Sequence, residues 1–328
     1  MIRAVVCREL GPPELMAVEE IPRKALGPGQ VRVRIRAAGV NFPDVLMAAG
    51  LYQLKPERPF TPGFEGAGEV IESGPEARGV AAGDRVIVHQ RFGCYAEEAV
   101  VEPAQLEPLP SDFSFAEGAS FLVASHTAYH GLVQRGHLAA GETLLVHGAA
   151  GGVGLAAVEL GKLLGATVIA TASSEEKLAA AKSRGADHGI NYEAEPFPEA
   201  VKRITGGAGA DVIYDPVGGA VFEQSLRCIA FGGRLLTVGF ASGTLPTVKA
   251  NLVLMKGCSV VGVRAGEAGR RNPALRKAAI EALFELAAAG KLKPHISAIL
   301  PLERFAEAMH LLSDRKAIGR VVLTTDQA

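Results

Sequence analysis

Residues 143–154 read TLLVHGAAGGVG, an apolar run that breaks into small residues and then opens a helical pattern, GVGLAAVELGKLLG. No other feature constrains the chain as much as this order of strand, bare turn and helix. Gly and Ala at one turn let peptide N–H groups approach a ligand closely, and a helix that starts there favours an anion at its N-terminus. The pattern is AxGxxG. Ala149 stands where a dinucleotide fingerprint usually has its first glycine, Gly151 where the backbone nears a pyrophosphate, and Gly154 where helix and strand pack closely.

The text on either side supports that reading. From about Ala119 onward apolar strands alternate with helical segments, TVIATAS, SEEKLAAAKSRG, DVIYDPVGG, GRLLTVGF and CSVVGV among them, which predicts βαβ units and a parallel sheet. One face of the first helix is expected to carry Val153, Ala157, Leu160 and Leu164, with Gly165 as its C-cap. Asn272 and Pro273 predict the start of a long helix that stops at Gly290. Before Gly118 the chain is short strand-like stretches divided by Gly and Pro, a mostly β unit, onto which the tail is expected to fold back. The expected division is therefore 1–118 with 270–328, and 119–269.

Composition removes several alternatives. A formal charge of −1 offers no field for nucleic acid or an anionic membrane surface. No apolar run reaches the roughly 18 residues of a membrane helix, and the start lacks a signal-peptide core, so a cytoplasmic location is expected. Four scattered cysteines make neither a disulfide framework nor a four-cysteine zinc site.

The second strand of the cofactor unit points to NADPH. NAD sites usually end this strand in an acid that binds the ribose hydroxyls, whereas here it ends Thr171, Ala172, Ser173, Ser174. Ser173 and Ser174 can donate to a 2′-phosphate, Lys177 can neutralise it and Tyr192 can add a hydroxyl. The alternative is a plain helix N-cap at Ser173 or Ser174, with Glu175 and Glu176 in the first turn.

Taken together, AAGVNFPDVLMAAGLY, PGFEGAGEV, HTAYHGL, VHGAAGGVG, VGG after the fourth strand and NLVLMKGCSVVGV resemble the medium-chain dehydrogenase/reductase superfamily, and within it the zinc-free NADPH:quinone oxidoreductases. The resemblance implies an α/β protein: a GroES-like, mostly β catalytic domain and a Rossmann cofactor domain with a doubly wound parallel sheet. It also implies that zinc relatives carry ligands where this chain has Asn41, Phe64 and Val123, none of which replaces a cysteine or histidine. His126 and His130 lie at metal-ligand spacing, but no acid lies between them and no third ligand is evident, so no metal is expected.

By the same resemblance the hydride passes directly from nicotinamide to acceptor. Asn41 is read as a donor to the acceptor's carbonyl oxygen or a hold on the cofactor near its reactive end, with turn chemistry as the alternative. Tyr52 matches a position lining the substrate cleft, Thr127 one near the nicotinamide, and Asp44 is read as structural. The backbone of Ala150, Gly151, Gly152 and Val153 would hold the pyrophosphate. Phe240 would flank the cofactor, and Val263 to Ala265 would meet the carboxamide. The expected activity is reduction of a small-molecule quinone, enone or enal. Its rivals are reduction of an acyl-CoA double bond, with Arg264, Arg270, Arg271, Arg276 and Lys277 as a phosphate clamp, and a non-catalytic NADPH-binding role. The strand Cys258–Val263 is expected at the sheet edge, pairing two copies into a homodimer.

Overall fold

The computed structural model describes residues 1–325. The chain divides into two compact units, Met1–Val123 together with the segment from Ile296 onward, and Ala124–His295.

In the first unit a long strand organises the rest. Strands β1 (Ile2–Val6) and β2 (Ala17–Ile21) form a small antiparallel pair. β3 (Val31–Val40) is flanked by β4 (Glu65–Ser73) and by β15 (Arg320–Thr324), and also pairs with β6 (Glu98–Val101). β5 (Arg85–His89) and β7 (Leu106–Pro108) extend one side of this sheet, and β14 (Ile296–Pro301) closes the other, parallel to β15. The text VRVRIR shows why β3 is central: Val31, Val33 and Ile35 point into the core, while Arg34 is exposed between them. Directly after β3, Asn41 opens a short helix, Phe42–Ala48.

The second unit is a six-stranded parallel sheet. Its strands are β8 (Thr143–Val146), β9 (Thr167–Ala172), β10 (His188–Asn191), β11 (Ala210–Asp215), β12 (Ile229–Thr237) and β13 (Ser259–Gly262), in the spatial order β10-β9-β8-β11-β12-β13. This is the doubly wound order expected of a dinucleotide fold, and it reverses direction between β8 and β11. β8 is a run of Leu144, Leu145 and Val146 with no exposed atom, as a strand covered on both faces must be. Helix Gly152–Leu163 buries Leu155, Ala157, Val158 and Leu160 against the sheet. The apolar face expected there is shifted: Val153 and Leu164 are only half-buried, and Gly165 caps the end with φ +86°.

The units part at residues 123 and 295 rather than at 118 and 270. The difference is helix Pro273–Ala288, capped as expected by Asn272 Oδ1 on Leu275 N (3.1 Å). Its buried face, Ala279, Ile280, Leu283 and Ala287, lies within the second unit, and Gln134 Nε2 donates to Leu275 O at 3.1 Å. A cap marks where a helix starts but says nothing about which core its far face joins.

Candidate functional site

At the end of β8 the backbone makes the turn that the small residues permit. His147 N donates to Tyr214 O (3.0 Å), Gly148 takes φ +56°, Ala149 N donates to Thr171 O (3.2 Å) and Gly151 N to Gly148 O (2.9 Å). Helix Gly152–Leu163 then begins, and its first N–H groups have no intrahelical partner. A Cβ on Gly154 would lie 2.1 Å from Gly148 O. Only glycine lets the helix start sit this close to the turn, and Ala150, Gly152 and Val153 present backbone donors suited to a pyrophosphate, Gly151 N being taken by Gly148 O.

A second cluster forms where β9 and β10 end. Lys177 Nζ donates to Ser173 Oγ (3.2 Å), Ser174 Oγ accepts from Lys177 N (3.3 Å), and Tyr192 N donates to Ala172 O (3.1 Å). Ser173, Ser174 and Lys177 are thus brought together, and the Tyr192 backbone reaches the end of β9 with its side chain exposed. Ser174 is also the N-cap of helix Glu175–Ser183, and Glu175 accepts from Asn191 Nδ2 at 3.4 Å. Cap and polar corner therefore coexist, and no carboxylate stands at the tip of β9.

Across the switch point, Asp215 ends β11. Its Oδ1 accepts from Val217 N (2.7 Å) and Gly218 N (3.0 Å), while Oδ2 is buried with no partner. Burial pushes this carboxyl up to about 6. Gly218, at φ +73°, leaves 2.8 Å between an added Cβ and the Phe240 ring, so the VGG turn and the segment after β12 fit closely. Phe240 is partly exposed, Val263 and Ala265 are buried, and Val263 N donates to Thr237 O (2.9 Å). Asp215 was not among the residues named from the sequence, although the Asp-Pro-Val-Gly-Gly run that follows the strand could have marked it.

In the first unit a buried polar network surrounds Asn41. Asn41 is buried, and its amide nitrogen already donates to Gly39 O (3.2 Å) and Glu65 Oε1 (3.1 Å), while its oxygen accepts from Arg320 Nη1 (3.0 Å). Both N–H groups are engaged inside the unit, and Asn41 anchors the turn before helix Phe42–Ala48. Glu65 in turn accepts from Arg320 Nη2 and, at 2.9 Å, from Val123 N. Burial pushes the Glu65 carboxyl up and the Arg320 charge draws it back. Asp44 accepts from Asn41 N (2.9 Å), Gly63 N (3.0 Å) and Tyr95 Oη (3.0 Å); burial raises it to about 7, against the pull of those three donors. Tyr52 is half-buried with its ring edge-on to Phe64, centroids 5.7 Å apart.

Among the described residues no group of three or more His, Cys, Asp or Glu side chains is placed to hold a metal. Thr127 is half-buried in helix Leu122–Tyr129. Beside it, His126 is lowered to about 4 by burial and then by Arg276 and His130, and His130 Nδ1 lies 2.7 Å from Gln134 Oε1.

His147 is a further buried polar residue that reading the sequence passed over. Its Nδ1 is 3.0 Å from Thr171 Oγ1, its Nε2 is 2.9 Å from Ser225 Oγ, and its ring meets the Phe197 ring at 4.7 Å. Ser225 donates its one proton to Val221 O (2.8 Å). Thr171 Oγ1 lies 3.5 Å from Val146 O as well, and with its proton on the shorter contact Nε2–H donates to Ser225 and the Thr171 hydroxyl donates to a neutral Nδ1. Burial lowers His147 to about 3. A base whose folded pKa is depressed loses stability as pH falls below its unfolded value near 6.5. The raised carboxyls of Asp44 and Asp215 act in the opposite sense, so the effect is read by difference. Between pH 6 and pH 4, stability from urea unfolding should fall less steeply in His147→Asn than in the parent, by about 1.4 kcal/mol per pH unit. Equal slopes would show that the ring takes up a proton inside the fold.

Comparisons agree with this architecture. The GroES-like alcohol dehydrogenase model matches residues 27–111, and the model described as zinc-binding dehydrogenase matches 152–284. A quinone oxidoreductase-like protein 2 homologue of Nematostella vectensis is 43% identical over 328 residues, covering 99% of this chain and 89% of that one. Pseudomonas syringae quinone oxidoreductase superposes with a TM-score of 0.92 at 34% identity, covering 99% of this chain and 100% of the other. The Escherichia coli quinone oxidoreductase complexed with NADPH gives 0.91 at 30% identity, covering 98% and 99%. With the parallel sheet in doubly wound order, the glycine turn and a mostly β unit beside them in sequence, these likenesses establish that the chain belongs to the medium-chain dehydrogenase/reductase superfamily as a quinone oxidoreductase-like member.

Proposed function

We propose that this protein is an NADPH-dependent, zinc-independent reductase that delivers a hydride to a quinone or another conjugated carbonyl, an enone or enal. The observation that carries the cofactor choice is the corner at the end of β9, where Lys177 Nζ donates to Ser173 Oγ and the residues Thr171 to Ser174 include no acid. The NADPH complex of the Escherichia coli relative supports it.

NADPH bound here supplies the hydride. The backbone of Ala150, Gly151, Gly152 and Val153 holds the pyrophosphate; Phe240, Thr127, Val263 and Ala265 flank the nicotinamide end. A conjugated acceptor needs no Lewis acid to take a hydride at carbon, because the charge moves to its oxygen. Tyr52 Oη donates to that oxygen, and Asn41, through Glu65 and Arg320, keeps the preceding turn in place. Steady-state rates with 1,4-benzoquinone, a simple enone and crotonyl-CoA, chelator present, are expected to be highest for the first two with NADPH. Lys177→Ala should raise the NADPH KM by about tenfold, the order of one charge-assisted hydrogen bond, and leave that for NADH little changed. Preference for NADH, or loss of activity to the chelator, would overturn the reading. NADPH binding without turnover of any acceptor would favour a non-catalytic role.

The acyl-CoA alternative loses support from the structure. Arg270 and Arg271 both lie 2.8 Å from Glu267, and Lys277 lies 3.7 Å from Glu281, so three of the five cations of the supposed clamp have carboxylate partners.

The protein is also proposed to be a homodimer. β13 is an edge of the parallel sheet, Val260 on it is exposed, and Phe231, Leu254 and Met255 are exposed large apolar side chains of the same unit. Light scattering at micromolar protein should give twice the chain mass, and Val260→Lys should halve it. A monomeric parent would refute this.

A further inference from the structure

The phosphate turn and the β9 tip are joined by one residue. Thr171 grips the turn twice, its carbonyl accepting from Ala149 N at 3.2 Å and its hydroxyl engaging His147 Nδ1 at 3.0 Å. Two residues further along the strand, roughly 7 Å, stand Ser173 and then Ser174, the polar corner beside Lys177. His147 is wholly buried with its ring edge-on to Phe197, and Nε2 reaches Ser225 Oγ on the side away from Thr171. The spacing between the backbone donors of 150, 152 and 153 and the hydroxyls of 173 and 174 is therefore held by side chains that touch neither.

We propose that His147 is a positioning residue for dinucleotide binding: through the Thr171 hydroxyl it fixes the pyrophosphate turn against the strand tip that receives the adenosine ribose end. The proposal rests on the cofactor site described above and not on which dinucleotide that site prefers. A pyrophosphate and an adenosine ribose occur in NADPH and NADH alike, and both must be met at once. If the two halves of the site drift, each contact is made at the expense of the other.

The two hydrogen bonds of His147 separate positioning from plain stability. Thr171→Val removes the hydroxyl that reaches the turn, while Ser225→Ala removes a partner of similar strength on the far side. Each leaves one buried ring nitrogen unmatched, so both should lower Tm by a similar amount. Dissociation constants come from isothermal titration calorimetry with NADPH and separately with NADH. Thr171→Val should weaken the tighter of the two by about fivefold, the order expected when one neutral hydrogen bond is lost. Thr171→Ser, which keeps the hydroxyl, should restore it, and Ser225→Ala should bind within about twofold of the parent. Unchanged affinity in Thr171→Val, or equal weakening in Ser225→Ala, would overturn the proposal and leave His147 a core residue. A parent that binds NADH more tightly would overturn the NADPH preference alone, because the ratio between the variants is then read with NADH.

Discussion

Gly154→Ala is expected to lose dinucleotide affinity by about a hundredfold or more, the loss of at least one charged backbone contact and the distortion of its neighbours. The new Cβ would sit 2.1 Å from Gly148 O and 2.9 Å from Ala149 Cα, both backbone atoms that cannot rotate aside. Relief requires the helix start to back away from the turn, which moves the N–H groups of Ala150, Gly152 and Val153 from where a pyrophosphate needs them. Gly161→Ala is the control. It lies two turns further along the same helix, and its Cβ would meet Leu144 Cδ2 at 2.4 Å, the far end of a flexible side chain in the core. That variant should unfold about 1–3 kcal/mol more easily with its affinity for NADPH intact. Equal loss of affinity in both would mean that helix packing in general, and not the turn, governs binding.

How far the sequence disclosed this site depends on how local each contact is. The turn at Gly148 to Gly154 was legible because its requirements, a left-handed residue and a close approach, fall on consecutive positions. The polar corner was legible too, since Ser173, Ser174 and Lys177 lie within five residues and Tyr192 joins them through the neighbouring strand. The buried network around Asn41 was not legible, for the opposite reason. The Asn41 environment is supplied by Glu65 and by Arg320, at separations of 24 and 279 residues, and no periodicity reports on such a partner. His147 lay in full view beside the glycines, but its partners are 24 and 78 positions away. The fold class followed from alternation of strands and helices, whereas the border near residue 295 did not. Helix Pro273–Ala288 shows its cap in sequence and its packing only in three dimensions.

Arg320→Met is expected to destabilise the protein by about 3–5 kcal/mol, because it strips a wholly buried carboxylate of its counter-charge. Glu65 has no exposed surface and Arg320 is 6% exposed, so solvent cannot take over the lost interaction. For a unit of this size the change corresponds to a fall in Tm on the order of 10 °C. Glu65→Gln alone should cost a comparable amount, since it leaves the buried Arg320 guanidinium without its counter-charge and one amide oxygen cannot replace both carboxylate oxygens, which accept from Val123 N on one side and from Asn41 and Arg320 on the other. The informative variant is the double substitution. If the penalty of Arg320→Met is an unpaired charge, adding Glu65→Gln should recover most of it, giving a coupling energy of about 2 kcal/mol or more in thermal unfolding. If the penalty is instead the bond from Arg320 Nη1 to Asn41 Oδ1, the double variant will be as unstable as the single one. Either way the activity of the rescued protein is decisive for Asn41. A stable double variant with weakened turnover would show that Asn41 must be held from both sides for the turn before helix Phe42–Ala48 to keep Tyr52 and Phe64 in working order. Full turnover would confine the network to stability.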